Sequence, residues 1–302
     1  MSARRWLVLL GLVTITPAVV VIAAASAAFC EASLRVARRT SGGSAPVTLY
    51  AGADWRTIRI TASDGIALAG WFVRPRTEQR GRCVVVLHGI GDTRMGSAGF
   101  APLFLARGYS VLLPDSRGHG SSGGDLVTFG VREKYDVLDW ARWMRAEGCT
   151  HIYGLGESLG ASVLIQTVAI DSVLRAIVAE CPYLDLRAIA EYRVREHLHV
   201  PRWISGVASK VVVAGGMVYA KVRYGLDLRE ASTLPAMEKS KTPILLIHGT
   251  NDVETPLFHS KRLAEASDLA VLWLVPNAKH TSASSAAPNE FQRRVLEWFA
   301  QH

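Results

Sequence analysis

Six short apolar runs constrain this chain more than any other feature: CVVVLHG (83–89), YSVLLPD (109–115), HIYGLG (151–156), AIVAECP (176–182), PILLIHG (243–249) and AVLWLVP (270–276). Each run is continuous, not alternating, so each strand must be covered on both faces. That is the condition of a parallel sheet. Parallel neighbours need crossover connections, and helix-period segments lie between the runs. Residues 131–147 place Tyr135, Leu138, Trp140 and Met144 near one side. Residues 258–267 and 289–299 are shorter amphipathic stretches, the second using Phe291, Val295, Trp298 and Phe299. Ahead of these, 55–61 alternates in strand fashion, Asp64-Gly65 offers a hairpin turn, and 66–73 returns. The expected class is α/β: a hairpin feeding a mostly parallel central sheet with helices on both faces. With 302 residues, 49% of them apolar, the chain can bury one large core and a small accessory region.

Two segments fall outside that alternation. Residues 6–29 carry no charge and as a helix would extend roughly 36 Å, enough to cross a bilayer. Residues 1–30 are therefore expected to be a single-pass transmembrane anchor. A cleaved secretory signal ending near Ala25-Ser26-Ala27 is the alternative, and the sequence leaves the side of the membrane open. Residues 31–54 read as a linker, and 55–302 as the α/β domain. Between two core strands, 187–241 is far longer than one crossover helix requires. It is expected to be a helical cap insert over the carboxyl ends of the strands, where open α/β sheets bind ligands. Its stretch WISGVASKVVVAGGMVY reads as too short, and too interrupted by Lys210, to be a second span. It would line an apolar pocket or simply be a packed insert.

The net charge of +8 is half accounted for by residues 1–40, where Arg4, Arg5, Arg35, Arg38 and Arg39 face Glu31 alone. No basic stripe or stacking motif accompanies it, which argues against a nucleic-acid partner. The four cysteines, Cys30, Cys83, Cys149 and Cys181, are too few and scattered for a disulfide framework. Cys83 and Cys149 each fall near a strand start and are expected to be buried free thiols, a bond between them requiring an oxidising compartment.

The chemistry is concentrated at strand ends. Gly156-Glu157-Ser158-Leu159-Gly160 is a G-x-S-x-G pentapeptide that follows an apolar run and opens a helix-forming one. That is the context of a nucleophile elbow, in which the serine backbone is strained and the flanking glycines remove side chains that would collide. A serine hydroxyl needs a base, and the base an orienting acid. Asp252 follows run 243–249 and His280 follows the last run, so the order is Ser158, Asp252, His280, each at the same edge of a parallel sheet. Asp185 is the runner-up acid, with Asp227 and Glu254 weaker. The backbone N–H groups of Leu159 and of Ile90, in the loop after 83–89, are the expected oxyanion donors. His88 and His248 read as structural and His119 as loop-shaping. His197-Leu198-His199 lacks the companions of a metal site, and no metal or other cofactor is expected.

With HGIGDTR (88–94), DSRGHGSSGG (115–124), GLGESLGA (154–161), HGTNDVETP (248–256) and AKHT (278–281), the chain resembles α/β-hydrolase-fold serine hydrolases from about residue 55 onward. The branch it resembles includes monoacylglycerol lipases, lysophospholipases and membrane-anchored acyl-protein thioesterases. The resemblance implies Ser158 as nucleophile, His280 as general base and acid, and Asp252 as orienter. It also implies a covalent acyl-enzyme and a lipid-like or acyl ester as substrate. A serine aminopeptidase and an inactive hydrolase-fold scaffold are the alternatives.

Overall fold

The computed structural model describes residues 3–39, 53–76 and 81–302, with side chains described from Val19 onward in the N-terminal helix. Most of the expected linker, residues 40–52, lies outside the described residues. Two compact units divide the chain: residues 1–34 with 187–229, and residues 35–186 with 230–302.

The larger unit is built on eight strands: β1 (Asp54–Thr61), β2 (Ala67–Arg74), β3 (Arg82–Leu87), β4 (Ser110–Pro114), β5 (His151–Glu157), β6 (Ile177–Glu180), β7 (Ile244–Gly249) and β8 (Ala270–Val275). All six continuous apolar runs are strands β3 to β8. Their spatial order is β1-β2-β4-β3-β5-β6-β7-β8. β1 and β2 are antiparallel and β2 joins β4 antiparallel, while every pair from β4 to β8 is parallel. The hairpin turns at Asp64-Gly65, where Gly65 has φ 86° and the Ala62 N–H donates to the Ile66 carbonyl.

The sheet reverses its direction of winding between β3 and β5, which are neighbours although β4 separates them in sequence. In open α/β sheets ligands bind at such a switch point, outside the carboxyl ends of the strands. One face of the sheet packs Trp71, Val84, Val86, Tyr153 and Leu155 against Phe104, Phe291 and Phe299. Phe299 of the C-terminal helix (Pro288–Gln301) stacks on Phe104 at 5.8 Å and lies 4.8 Å from the Tyr153 ring. On the other face the helix Leu159–Val168 is buried along its whole length. A Cβ on Gly154 of β5 would stand 3.0 Å from a Leu164 methyl, so glycine there admits the helix.

The helix Glu133–Ala146 buries Val137, Trp140, Ala141 and Met144, while Tyr135, expected on that face, is exposed. The buried face is extended instead by acids. Glu133 accepts from the Thr128 and Gly130 N–H groups, Asp136 takes a double hydrogen bond from Arg117, and Asp139 accepts from the Ser63 N–H.

The N-terminal helix runs from Ala3 to Leu34, beyond residue 30. Two expectations are corrected. The stretch judged too short for a span is a continuous 23-residue helix, Arg202–Tyr224, and among the described residues it is the helix long and apolar enough to cross a membrane. Cys83 and Cys149, expected as free thiols, form a disulfide with Cα atoms 5.8 Å apart. Parallel pairing sets Cys83 opposite Ile152, three residues past Cys149, and the turn before β5 folds Cys149 back. Cys30 and Cys181 are free and buried.

The bond closes a loop of sequence separation 66, which in the chain-entropy treatment restricts the unfolded chain by about 4 kcal/mol. Replacing both Cys83 and Cys149 by alanine is expected to lower the unfolding free energy by roughly 2–4 kcal/mol. Denaturant titration of the two proteins under non-reducing conditions checks this.

Candidate active site

Ser158 stands between the end of β5 and the first turn of the helix Leu159–Val168, with φ 51° and ψ −110°. A non-glycine residue reaches that region only under strain that its surroundings hold in place. Here its own N–H donates to the Glu180 carbonyl on β6 at 2.8 Å, and its carbonyl accepts from the Ser162 N–H at 3.1 Å. The helix also runs too close to the strands for side chains. A Cβ on Gly156 would lie 2.5 Å from the Gly160 carbonyl carbon. One on Gly160 would lie 2.7 Å from the Leu87 Cβ and 2.8 Å from the His88 carbonyl oxygen. Both glycines of the pentapeptide are thus set by packing against each other and against β3.

Asp252 and His280 come from the loops after β7 and β8, and the His280 Nδ1–H donates to Asp252 Oδ2 at 2.7 Å. Asp252 Oδ1 accepts from the Glu254 and Thr255 N–H groups, both at 2.9 Å. Burial alone would push the Asp252 carboxyl upward. The His280 and Thr255 hydrogen bonds outweigh it, and the pKa lies below the ordinary value. The carboxylate is therefore ionised and fixes the imidazole tautomer with Nε2 left to accept a proton. Asp185, the other candidate acid, instead forms a backbone bridge to Ser232. Asp227 is tied to Lys221 and Arg229, and Glu254 meets Asp252 through its backbone.

A constraint that the sequence pattern did not reveal holds the two loops together. A Cβ on Gly249, the last residue of β7, would stand 2.7 Å from the Ala278 carbonyl carbon and 2.8 Å from the Lys279 oxygen. The histidine loop thus lies directly on the strand end. The Asn251 N–H donates to the Ala278 carbonyl, and the Asn277 N–H to Thr250 Oγ1.

The loop after β3 approaches the serine from the other side. A Cβ on Gly89 would be 3.5 Å from the Ser158 Cβ, so Ile90, the next residue, belongs to the segment that faces the elbow. His88 donates from Nδ1 to the Gly89 carbonyl and accepts the Ser116 N–H at Nε2. His119 accepts the Gly91 N–H. Burial, and then the nearby His119, hold the His88 pKa down at about 4, and burial lowers that of His119. Both rings are neutral braces, as is His248 between Ser260 and Thr255. The Arg94 side chain and backbone N–H both bind the buried Asp115 carboxylate, which also accepts from the Ser121 N–H. The motifs at 88–94 and 115–124 are thereby locked together.

Two further acids sit under the elbow. Glu157 and Glu180 are register partners on β5 and β6. Burial, then each other's proximity for Glu157, raise them: Glu157 to about 8 and Glu180, which accepts from the Ala283 N–H, to about 7. Glu157 also lines a cavity of about 410 Å³ with Phe100, Leu103, Thr281, Phe291 and Gln292. Among the described residues one trio of possible metal ligands, Cys181, His248 and Asp252, lies within 4.8 Å. Its Asp252 and His248 atoms are already engaged with His280, Ser260 and Thr255. His197 and His199, the pair considered for metal, are exposed, and His197 bonds the Arg193 carbonyl of its own helix.

Two outcomes follow. Gly249→Ala is expected to destabilise the fold by roughly 1–3 kcal/mol through overpacking and to abolish the low-field Nδ1 proton resonance of His280 in the NMR spectrum. The half-buried Glu157 and the buried Glu180 set a pH dependence. From their ordinary value of 4.5 up to about 7 and 8, the unfolded chain releases protons that the folded one keeps. Stability therefore falls as pH rises through that window. Glu157→Gln removes one such group, so the drop in Tm between pH 5 and pH 9 should shrink, as differential scanning calorimetry would record.

The family model described as the alpha/beta hydrolase family matches residues 84–295. The protein YqkD of Bacillus subtilis (strain 168) is 26% identical over 247 residues, 79% of this chain and 77% of its own. Among solved structures, the Pyrococcus furiosus esterase Pf2001 superposes with a TM-score of 0.70 at 24% identity, covering 88% of this chain and 99% of that one. The acylaminoacyl peptidase of Pyrococcus horikoshii superposes at 0.63 with 18% identity, over 83% of this chain and 42% of that one.

Proposed function

The chain belongs to the alpha/beta hydrolase family, and on that premise we propose that it is a serine hydrolase cleaving carboxylic esters or thioesters through an acyl-enzyme on Ser158. The observation that carries this reading is the conjunction of the Asp252–His280 hydrogen bond, at the ends of β7 and β8, with a serine held at positive φ at the end of β5 on the same edge of the sheet.

In the proposed reaction His280 Nε2 removes the hydroxyl proton as Ser158 Oγ attacks the ester carbonyl carbon. Asp252 stabilises the imidazolium that forms. The Leu159 and Ile90 N–H groups meet the oxyanion, each such donor being worth about 100- to 1000-fold in rate. Collapse of the tetrahedral intermediate breaks the carbonyl–oxygen or carbonyl–sulfur bond, and the leaving group takes the proton from His280. Water then repeats the sequence, with His280 first as base and then as acid, and releases the carboxylic acid.

An acyl or lipid-like substrate is the reading the rest of the chain favours. The insert between β6 and β7 carries an apolar helix, and residues 6–29 would anchor the protein to a membrane where such substrates partition. The Cys83–Cys149 bond supports placement of the catalytic domain in an oxidising compartment, outside the cytoplasm.

Labelling with a fluorophosphonate tests the nucleophile. The wild-type protein is expected to label and Ser158→Ala to remain unlabelled, with ester hydrolysis falling roughly 10⁴-fold or more; Asp252→Asn should cost about 10⁴-fold. A folded wild-type protein that neither labels nor hydrolyses short p-nitrophenyl esters would sink the proposal. A series of esters of rising acyl length, with an N-acyl amino acid amide beside them, separates a lipase or esterase from a peptidase.

A further inference from the structure

The helix Arg202–Tyr224 is inside out for a protein surface in water. Its buried residues are Ser205, Ser209, Val213, Gly216 and Ala220, four of the five small or hydroxylated. Its exposed residues include Trp203 (76% exposed), Val207 (63%), Val211, Val218 (63%) and Val222 (82%). Their spacing of four, four, seven and four puts all five on one helix face, a stripe running the length of the element. A surface helix of a water-soluble domain distributes residues the other way round.

The buried face is occupied by the N-terminal helix of the same unit. A Cβ on Gly215 would stand 2.8 Å from the Ser26 Cβ, and one on Gly216 would lie 3.3 Å from the Phe29 ring. Ser26, Cys30 and Leu34, one turn apart, form the other half of the contact. Close approach through small residues is how helices associate where lipid removes the hydrophobic drive between them. Three serine hydroxyls bond within their own helices, Ser205 Oγ on the Arg202 carbonyl, Ser209 Oγ on Gly206 and Ser33 Oγ on Phe29, while Ser26 Oγ is buried in the contact without a hydrogen-bond partner. The acid of the N-terminal helix, Glu31, accepts from the hydroxyls of Tyr219 and Tyr224. Toward its N-terminal end the described part of that helix exposes Val19, Val20, Val21 and Ile22, nearly all the way round its circumference. The pair is small and polar where its helices meet and aliphatic outside.

We infer that the Trp203–Val222 face of the insert helix contacts lipid acyl chains, so that this helix and the N-terminal helix enter one anionic bilayer as a pair. Charge chooses this occupant over a second copy of the chain. The helix carries Arg202, Lys210, Lys221 and Arg223 and no carboxylate; Asp227 beyond its end pairs with Lys221, so Arg202, Lys210 and Arg223 give the helix its net charge. Two such faces brought together would oppose like charges, whereas anionic headgroups complement them and the Lys210 stem can reach from the edge of the stripe toward the phosphates. Length agrees: 23 residues extend roughly 35 Å, comparable to the hydrocarbon core. The inference is independent of the esterase reading and goes beyond an anchor at residues 6–29, because it assigns the membrane a second helix that arises within the catalytic domain's sequence.

The experiment uses the full chain with Val218→Cys or Val222→Cys labelled with the fluorophore NBD, the unsubstituted chain serving as labelling blank and Lys239→Cys as a reference in the larger unit. Melting by circular dichroism verifies that each variant folds. Proteins are mixed with vesicles of phosphatidylcholine and phosphatidylglycerol and recovered by flotation, which reports the anchor alone. On floated protein, both labels are expected to shift to the blue, to lose most of their emission to doxyl groups on lipid acyl chains, and to resist aqueous iodide, while Lys239→Cys stays open to iodide. Labels at 218 and 222 that remain open to iodide on floated protein would overturn the inference. So would labels shielded from both quenchers, which is the signature of a second copy, and so would a chain that does not float at all.

Discussion

The structure turns on how closely backbone can approach backbone at one edge of the sheet. The helix that follows Ser158 lies against β3 with no room for a side chain at Gly160, and against its own entering strand with none at Gly156. At the next strand pair the histidine loop rests on Gly249 in the same way. Dispersion and hydrogen bonding at these distances fix position to fractions of an ångström. Nucleophilic catalysis needs that tolerance, since a reacting group about 1 Å out of place can cost about 100-fold. The strained φ of Ser158 is held by two backbone hydrogen bonds, one across to β6 and one forward into its own helix. Strain of this kind survives only where the surroundings over-determine it.

Around that edge, ionic groups brace the loops that flank Ser158, Asp252 and His280. Arg94 and Asp115 are both buried, and so are Arg117 and Asp136. Removing one partner of such a pair leaves an uncompensated charge in a low-dielectric interior. The loops after β3 and β4 are therefore coupled, through Arg94–Asp115 and the His119 bond to Gly91, although neither contributes a general base. Neutral His88, His119 and His248 serve the same end: each uses one ring nitrogen to donate and the other to accept.

Much of this was legible in the sequence because a strand covered on both faces must be apolar without interruption, and six such runs became six parallel strands. The candidate site was legible for a related reason. Asp252 and His280 both follow strand ends in the sequence, and the structure joins them in a hydrogen bond. What escaped depends on partners far apart in the chain. Glu133, Asp136 and Asp139 look like a solvated helix face until Thr128, Arg117 and Ser63 are brought to them. Glu157 and Glu180 become a coupled pair only through the β5–β6 register. Gly249 reads as an ordinary strand end until the backbone of 278–279 crosses it. Cys83 and Cys149 meet because β3 and β5 are neighbours although β4 lies between them in the chain. In the helix Arg202–Tyr224 the hydrophobic run was visible, but which residues face outward is a property of its partner helix.

The disulfide has a mechanical consequence. It ties the amino-terminal ends of β3 and β5, and the carboxyl ends of the same two strands carry Ile90 and Ser158. The two strands act as stiff arms riveted at one end, with the tools at the other. The four ladder pairs beyond Cys83, from Val84–Tyr153 to Leu87–Gly156, leave the arms no freedom to slide. The spacing between the Ile90 loop and Ser158 is thus gauged from the opposite end of the two strands.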